Sequence, residues 1–180
     1  MAEAIVDVSC VSKSLNHAKM KFEFFWKKDS PFSQFHGCLF EVDGQRYTCA
    51  EQYMMHQKAV CFGDHEIATQ ILKSIKPPQM KSLGRKVKNY DDDVWEKRCF
   101  EVVKTGNRHK FSQHKDLKQA LFATRGKILV EASPSDNKWG IGLAESNPQA
   151  WDKSTWRGRN LLGYALTEVR DELMREEGML

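Results

Sequence analysis

Apolar side chains fall on alternate positions at Phe22, Phe24 and Trp26, the period of a strand. A second alternating stretch, residues 39–47, is divided by Asp43-Gly44, a pair suited to a tight type I′ hairpin. From there the spacing becomes helical. Thr48 and Glu51 have the T-x-x-E spacing of a capping box, opening a helix that carries Tyr53, Met54 and Met55 to about Cys61. Phe62-Gly63 breaks it, and Asp64 is placed to cap a second helix with Ile67, Ile71 and Leu72, which Pro77-Pro78 ends. A short helix is expected over residues 79–83. Asp91 to Asp93 cap the next, with Trp95, Cys99, Val102 and Val103 inward and Gly106 as its stop. Ser112 is expected to begin another, with Leu117, Ala120 and Leu121 inward. Residues 128–130 read as a short buried strand, and Leu161, Leu162, Ala165, Leu166, Val169 and Leu173 give a closing helix from about Asn160.

The pattern is α+β: one mainly helical domain over residues 21–180 with a few short antiparallel strands, lacking βαβ alternation. Residues 1–20 have no clear period and read as a flexible tail. A chain of 180 residues, 41% hydrophobic and 29% charged, suits one domain with a substantial core. No apolar run approaches the roughly 18 residues of a bilayer span, so no membrane partner is expected. The opening MAEAIVDVSC lacks a basic stretch ahead of an apolar one, so a secretory signal is not expected. Five cysteines at uneven spacing, without C-x-x-C, read as reduced thiols in a cytoplasmic or nuclear setting. The net charge of +4 suits anionic small molecules and weak nucleic-acid attraction, short of a dedicated DNA-binding footprint.

Candidate chemistry gathers around residues 133–142, S-P-S-D-N-K-W-G-I-G, directly after the strand that ends in Glu131. The plain structural account makes Asp136 the start of a turn and Trp139 a core ring. The functional one makes the loop a holder of a heterocycle, with a carboxylate beside the bond to be worked on. Glu51 divides the same way, between capping residue and a carboxylate facing a cleft; the two roles can coexist. Lys58, Arg85, Lys86 and Lys88 are solvated cations or phosphate contacts. Gly158, Arg159 and Asn160 form either a helix-start anion site or a simple N-cap by Asn160. Trp95 is core or, between helices, a stacking surface. His56, Cys61 and His65 straddle a helix break, and there is no H-E-x-x-H, P-loop or G-x-S-x-G, so neither metal nor cofactor is expected.

Several stretches taken together resemble the NADAR, or YbiA-like, family: P-F-S-Q-F (31–35), V-D-G-Q-R-Y-T-C-A-E-Q-Y-M-M-H-Q-K-A (42–59), F-G-D (62–64), L-G-R-K-V (83–87), W-E-K-R (95–98), K-F (110–111), L-V-E-A-S-P-S-D-N-K-W-G-I-G (129–142) and G-R-N-L-L-G (158–163). The resemblance spans roughly residues 22–175 and implies an N-glycosidase that hydrolyses the bond between ribose and a nitrogen heterocycle. Substrate classes it implies are phosphorylated ribosylamino intermediates of riboflavin synthesis and ADP-ribose on guanine in nucleic acid. Carried over by position, E-Q-Y puts the motif acid at Glu51. S-D-x-x-W-G puts an acid and a ring at Asp136 and Trp139, and W-x-x-R falls on Trp95 and Arg98. Where the family pattern has P-F-S-N before an aromatic pair, this chain has Gln34, then Phe35-His36.

N-glycosidic cleavage develops positive charge on the ribose, which a carboxylate can stabilise, supply with an activated water, or attack. On this reading Glu51 is the acid at the ribose and Asp136 a second acid or orienter, with Glu131 in reserve. Phe32, Trp95 and Trp139 bind the substrate, and Lys58, Arg85, Arg98, Arg159 and Asn160 hold its phosphate side. The expected partner is a phosphorylated ribosyl or ADP-ribosyl compound, either free or carried as ADP-ribosyl-guanine on nucleic acid. Two other readings stand beside it: a non-catalytic module that binds ADP-ribose or NAD, and an interaction module using Trp151 and Trp156.

Overall fold

A 22-residue helix from Asp92 to Gln113 is the axis of the computed structural model, which describes residues 21–180. In chain order come β1 (Phe22–Phe25), the strands β2 (Phe40–Val42) and β3 (Gln45–Tyr47), and the helices α1 (Ala50–Cys61), α2 (His65–Lys73) and α3 (Pro77–Gly84). The axial helix is α4; α5 (Lys115–Phe122), β4 (Ile128–Glu131), two 3-10 turns (Pro148–Trp151 and Lys153–Thr155) and α6 (Leu161–Glu176) follow. The class is α+β and mainly helical. Helix α4 packs against α6 and α5 on one side and α1 on the other, while α1 also packs on α2 and α3. Their shared core includes Met54, Ile71, Cys99, Val103, Phe111, Leu121, Leu162 and Leu166. Among the described residues no helix is long and apolar enough to cross a membrane. The tail expected over residues 1–20 lies outside the described residues.

The hairpin pairs antiparallel, with Asp43 and Gly44 both at positive φ (49° and 80°), as a type I′ turn requires. The other pair departs from the antiparallel expectation. β1 and β4 run parallel, Phe22 opposite Ile128 and Phe25 opposite Glu131, because five helices intervene and return the chain in the same direction. Asp64 and Asp91 cap α2 and α4 as their spacing predicts. Helix α4 does not stop at Gly106. The glycine is there for packing: a Cβ would stand 2.4 Å from Cδ1 of Tyr53. Ser112 accordingly lies inside α4, and α5 begins after His114. Helix α2 ends at Lys73, and Pro77 and Pro78 instead open α3, where a missing amide costs nothing. Phe32, expected to bind the substrate, is instead buried between Phe25 and Phe111.

Trp151 and Trp156 belong to a second, smaller core. They pack on Phe24 and Phe22, and their indole N–H groups donate to the carbonyls of Glu145 and Ala150. This packing gives both rings a structural role.

Candidate active site

A cleft of about 600 Å³ opens between α1, α3, α4 and the loop after β4, within the usual size for a small-molecule site. Glu51 enters it from the first turn of α1. The capping box expected there is built differently: Thr48 is bonded by Gln52, and the residue before α1, Cys49, makes no side-chain cap. Glu51 is thus released from the capping role. Its amide is fixed by donating to the carbonyl of Gln34 at 2.9 Å, while its carboxylate has no hydrogen-bond partner among the described residues and lines the cleft.

Asp136 and Trp139 enter from the opposite segment. Oδ1 of Asp136 accepts from the amides of Lys138 (3.0 Å) and Trp139 (2.8 Å), which folds the loop so that the indole faces the cleft. The loop has no room for side chains at two glycines. A Cβ on Gly140 would stand 2.8 Å from the Glu131 carbonyl, and one on Gly158 would stand 2.3 Å from the Gly140 carbonyl. Asn160 locks the loop to the sheet. Fully buried and left-handed (φ 52°), it accepts from the Glu131 amide at 3.0 Å and donates to the Leu129 carbonyl at 3.0 Å. The third wall is the loop at residues 31–35, held by the buried ammonium of Lys110, which donates to the carbonyls of Pro31 (2.6 Å) and Ser33 (3.1 Å). Gln34 of that loop also accepts from Asn107 Nδ2 at 2.8 Å.

Three carboxyl groups, Glu51, Glu131 and Asp136, therefore share one cleft with five cations, Lys27, Lys58, Lys81, Arg85 and Lys138. Burial pushes Glu51 up to about 7; Lys81 and Arg85 oppose the rise and Asp136 adds to it. Burial also pushes Glu131 up to about 7, with Asp136 and Glu51 adding and Lys81 opposing. Lys58 is held below its ordinary value by burial and then by Lys138 and Arg85, although Asp92 counters them. Its ammonium lies 4.1 Å from the ring centre of Tyr90. Lys58, Lys81 and Arg85 make no salt bridge among the described residues, and grouped on one side of the cleft they form an anion-seeking wall. Trp95, almost fully buried, closes the floor between the helices. Among the described residues no group of three or more His, Cys, Asp or Glu is arranged to hold a metal.

A sequence profile of the NADAR domain matches residues 24–174. The chain belongs to the NADAR family. An N-glycosidase of Acanthamoeba polyphaga mimivirus is 45% identical over 126 residues, covering 70% of this chain and 74% of that one. N-glycosidase YbiA of Escherichia coli is 31% identical over 146 residues, covering 81% and 82%. The solution structure of Escherichia coli YbiA superposes with a TM-score of 0.73 at 28% identity, covering 89% of each chain.

Of the NADAR motif residues singled out in the sequence, the fold brings Glu51, Lys58, Arg85, Trp95, Asp136 and Trp139 together in the cleft. Four others stand outside its lining. Phe32 is core, and Arg98 reaches Cys61 Sγ at 3.7 Å on the exposed side of α4. Arg159 donates to Glu96 at 3.0 Å, and Asn160 is the sheet lock rather than a cap. The cleft adds Lys27, Lys81, Tyr90 and Lys138, and it also takes in Glu131, the acid held in reserve. Lys81 had a signal in the sequence: it precedes Arg85 by four positions, so both project from one face of α3 and its end. Lys138 is tied to Glu96 of α4, a neighbour that only the tertiary fold supplies.

Proposed function

We propose that this chain, an N-glycosidase of the NADAR family, hydrolyses the bond between a phosphorylated or ADP-linked ribose and a nitrogen heterocycle. The observation that carries the reading is the meeting of Glu51 and Asp136, from segments far apart in sequence, in one cleft beside the Trp139 ring. Substrate phosphates would lie against Lys58, Lys81 and Arg85, which anchor the sugar and spend binding energy on its orientation. The heterocycle would lie along Trp139 over the floor made by Trp95. That places the anomeric carbon near Glu51. As the C–N bond lengthens, charge grows on the ribose. A carboxylate in a buried site, unencumbered by protein hydrogen bonds, stabilises that charge more strongly than one in water. Asp136, with one oxygen committed to two amides, holds the indole and adds negative charge behind Glu51.

Both implied substrate classes, a free phosphorylated ribosylamino heterocycle and ADP-ribosyl-guanine carried on nucleic acid, have these features. Incubation with a panel of ribosylated bases, with released base and sugar read by mass spectrometry, tests the reading. Release of free base from a phosphorylated ribosyl member supports it. Tight binding of ADP-ribose with no release from any member would make the chain a reader instead.

A further inference from the structure

Oε2 of Glu131 is shut off from solvent and has no hydrogen-bond partner among the described residues, although it belongs to a cleft-lining side chain. A buried polar oxygen left unpaired costs free energy, and on a side chain that lines a cleft it points to a catalytic role. The backbone around it is fixed on both sides. The Glu131 amide donates to Asn160, its carbonyl accepts from Ile141 at 3.0 Å, and β4 is paired with β1 up to this residue. The carboxyl group is thus presented on a rigid strand end.

Three carboxyl groups that line one cleft and raise one another's hold on a proton do not all ionise together. Glu51 has two cations beside it, Lys81 and Arg85, against the carboxylate of Asp136. Glu131 faces two carboxyl groups, Asp136 and Glu51, with Lys81 the single opposing cation. Burial raises both to about 7, and the oxygen least able to carry a charge is the unpaired, solvent-free Oε2 of Glu131, so the shared proton is placed there.

We propose that Glu131 is a catalytic acid, giving its proton to the departing heterocycle while Glu51 supports the ribose. This rests on the N-glycosidase reading above. As the C1′–N bond breaks, its electron pair goes to the nitrogen, which takes the proton from Glu131 and leaves as a neutral base. The ribosyl cation is held by the Glu51 carboxylate until water adds to C1′. The surplus proton of that water then restores the Glu131 carboxyl. The balance is one bond hydrolysed by one water, with no other reactant.

A leaving-group series separates this role from a structural one. Azole N-ribosides of ribose 5-phosphate, with and without nitro groups, span departing bases that need a proton and bases that leave unaided. Glu131→Gln preserves the side-chain shape. The expected loss is at least about 100-fold in kcat for the unsubstituted azole and under about 5-fold for the nitro azole, giving a steep leaving-group dependence that the parent lacks. The basic limb of the parent's pH–rate profile near neutrality should also vanish in the variant. Equal losses across the series, or no loss at all, would overturn the role of Glu131 while leaving the N-glycosidase reading intact. Failure of the parent protein to cleave any member would instead strike that reading itself.

Discussion

The amide of Thr48 donates to Oε1 of Gln52 at 2.8 Å, and the Thr48 hydroxyl donates to the same oxygen at 3.1 Å. The Nε2 group of Gln52 meanwhile donates to the carbonyls of Ile71, Leu72 and Ser74, closing the end of α2. One buried amide side chain thus serves two helix ends, and its neighbour Glu51 is left to face the cleft. Gln52→Ala leaves these groups unpaired in the interior and should cost about 3 kcal/mol of stability, read by urea denaturation at neutral pH. Retention of full stability would show that the amide is not the tie between α1 and α2.

Glu51 itself should weaken the fold as pH rises. Its folded value of about 7 stands above the ordinary 4.5, so the native state binds the proton more tightly than the unfolded chain. The stabilising effect is fully present below pH 4.5 and is lost by about pH 7; at roughly 1.4 kcal/mol per pH unit the loss is about 3 to 4 kcal/mol. Glu51→Gln removes that dependence. The variant should lose less stability than the parent between pH 4.5 and 7.5, measured as unfolding free energy at each pH. Parallel pH profiles for the two proteins would contradict the burial account.

Among the proposed phosphate contacts, Arg85 has the clearest test. Arg85→Ala should raise KM about 10- to 100-fold for a ribose 5-phosphate substrate. The same change should leave KM for the unphosphorylated riboside within about 2-fold. Equal effects on both would remove the residue from phosphate recognition.

Gly84 sets the width of the cleft. A Cβ there would meet Met55 Sδ at 2.0 Å, and Met55 lines the site. The thioether is flexible and can swing into the cleft, so Gly84→Ala should raise KM about 10-fold at a stability cost of only about 1 kcal/mol. An unchanged KM with a large drop in stability would show that Met55 yields toward the core instead.

Much of this architecture follows from local chemistry. Asp43-Gly44 specifies its turn, and Asp64 and Asp91 specify their helix starts, because each acts on its own few neighbours. The readings that depend on distant partners came out differently. Gly106 looks like a helix stop until Tyr53 occupies the space beside it, and β1 has no local mark of pairing parallel with β4, about a hundred residues on. The same division runs through the site. Glu51, Asp136 and Trp139 stand in distinctive motifs. Lys81 and Lys138 sit in ordinary helical and turn positions, and only the packing of α3 and α4 turns them toward the acids. Asn160 misleads for a related reason: it precedes a helix, yet its side chain is taken by β4.

The most direct measurement is the single-turnover rate of base release by the parent and by Glu51→Gln, on whichever phosphorylated ribosyl substrate the panel identifies. A fall of at least about 100-fold, with binding of the substrate kept within a few-fold, is the predicted result. A variant that releases base at the parent's rate would remove Glu51 from the chemistry, and with it the mechanism built on this cleft.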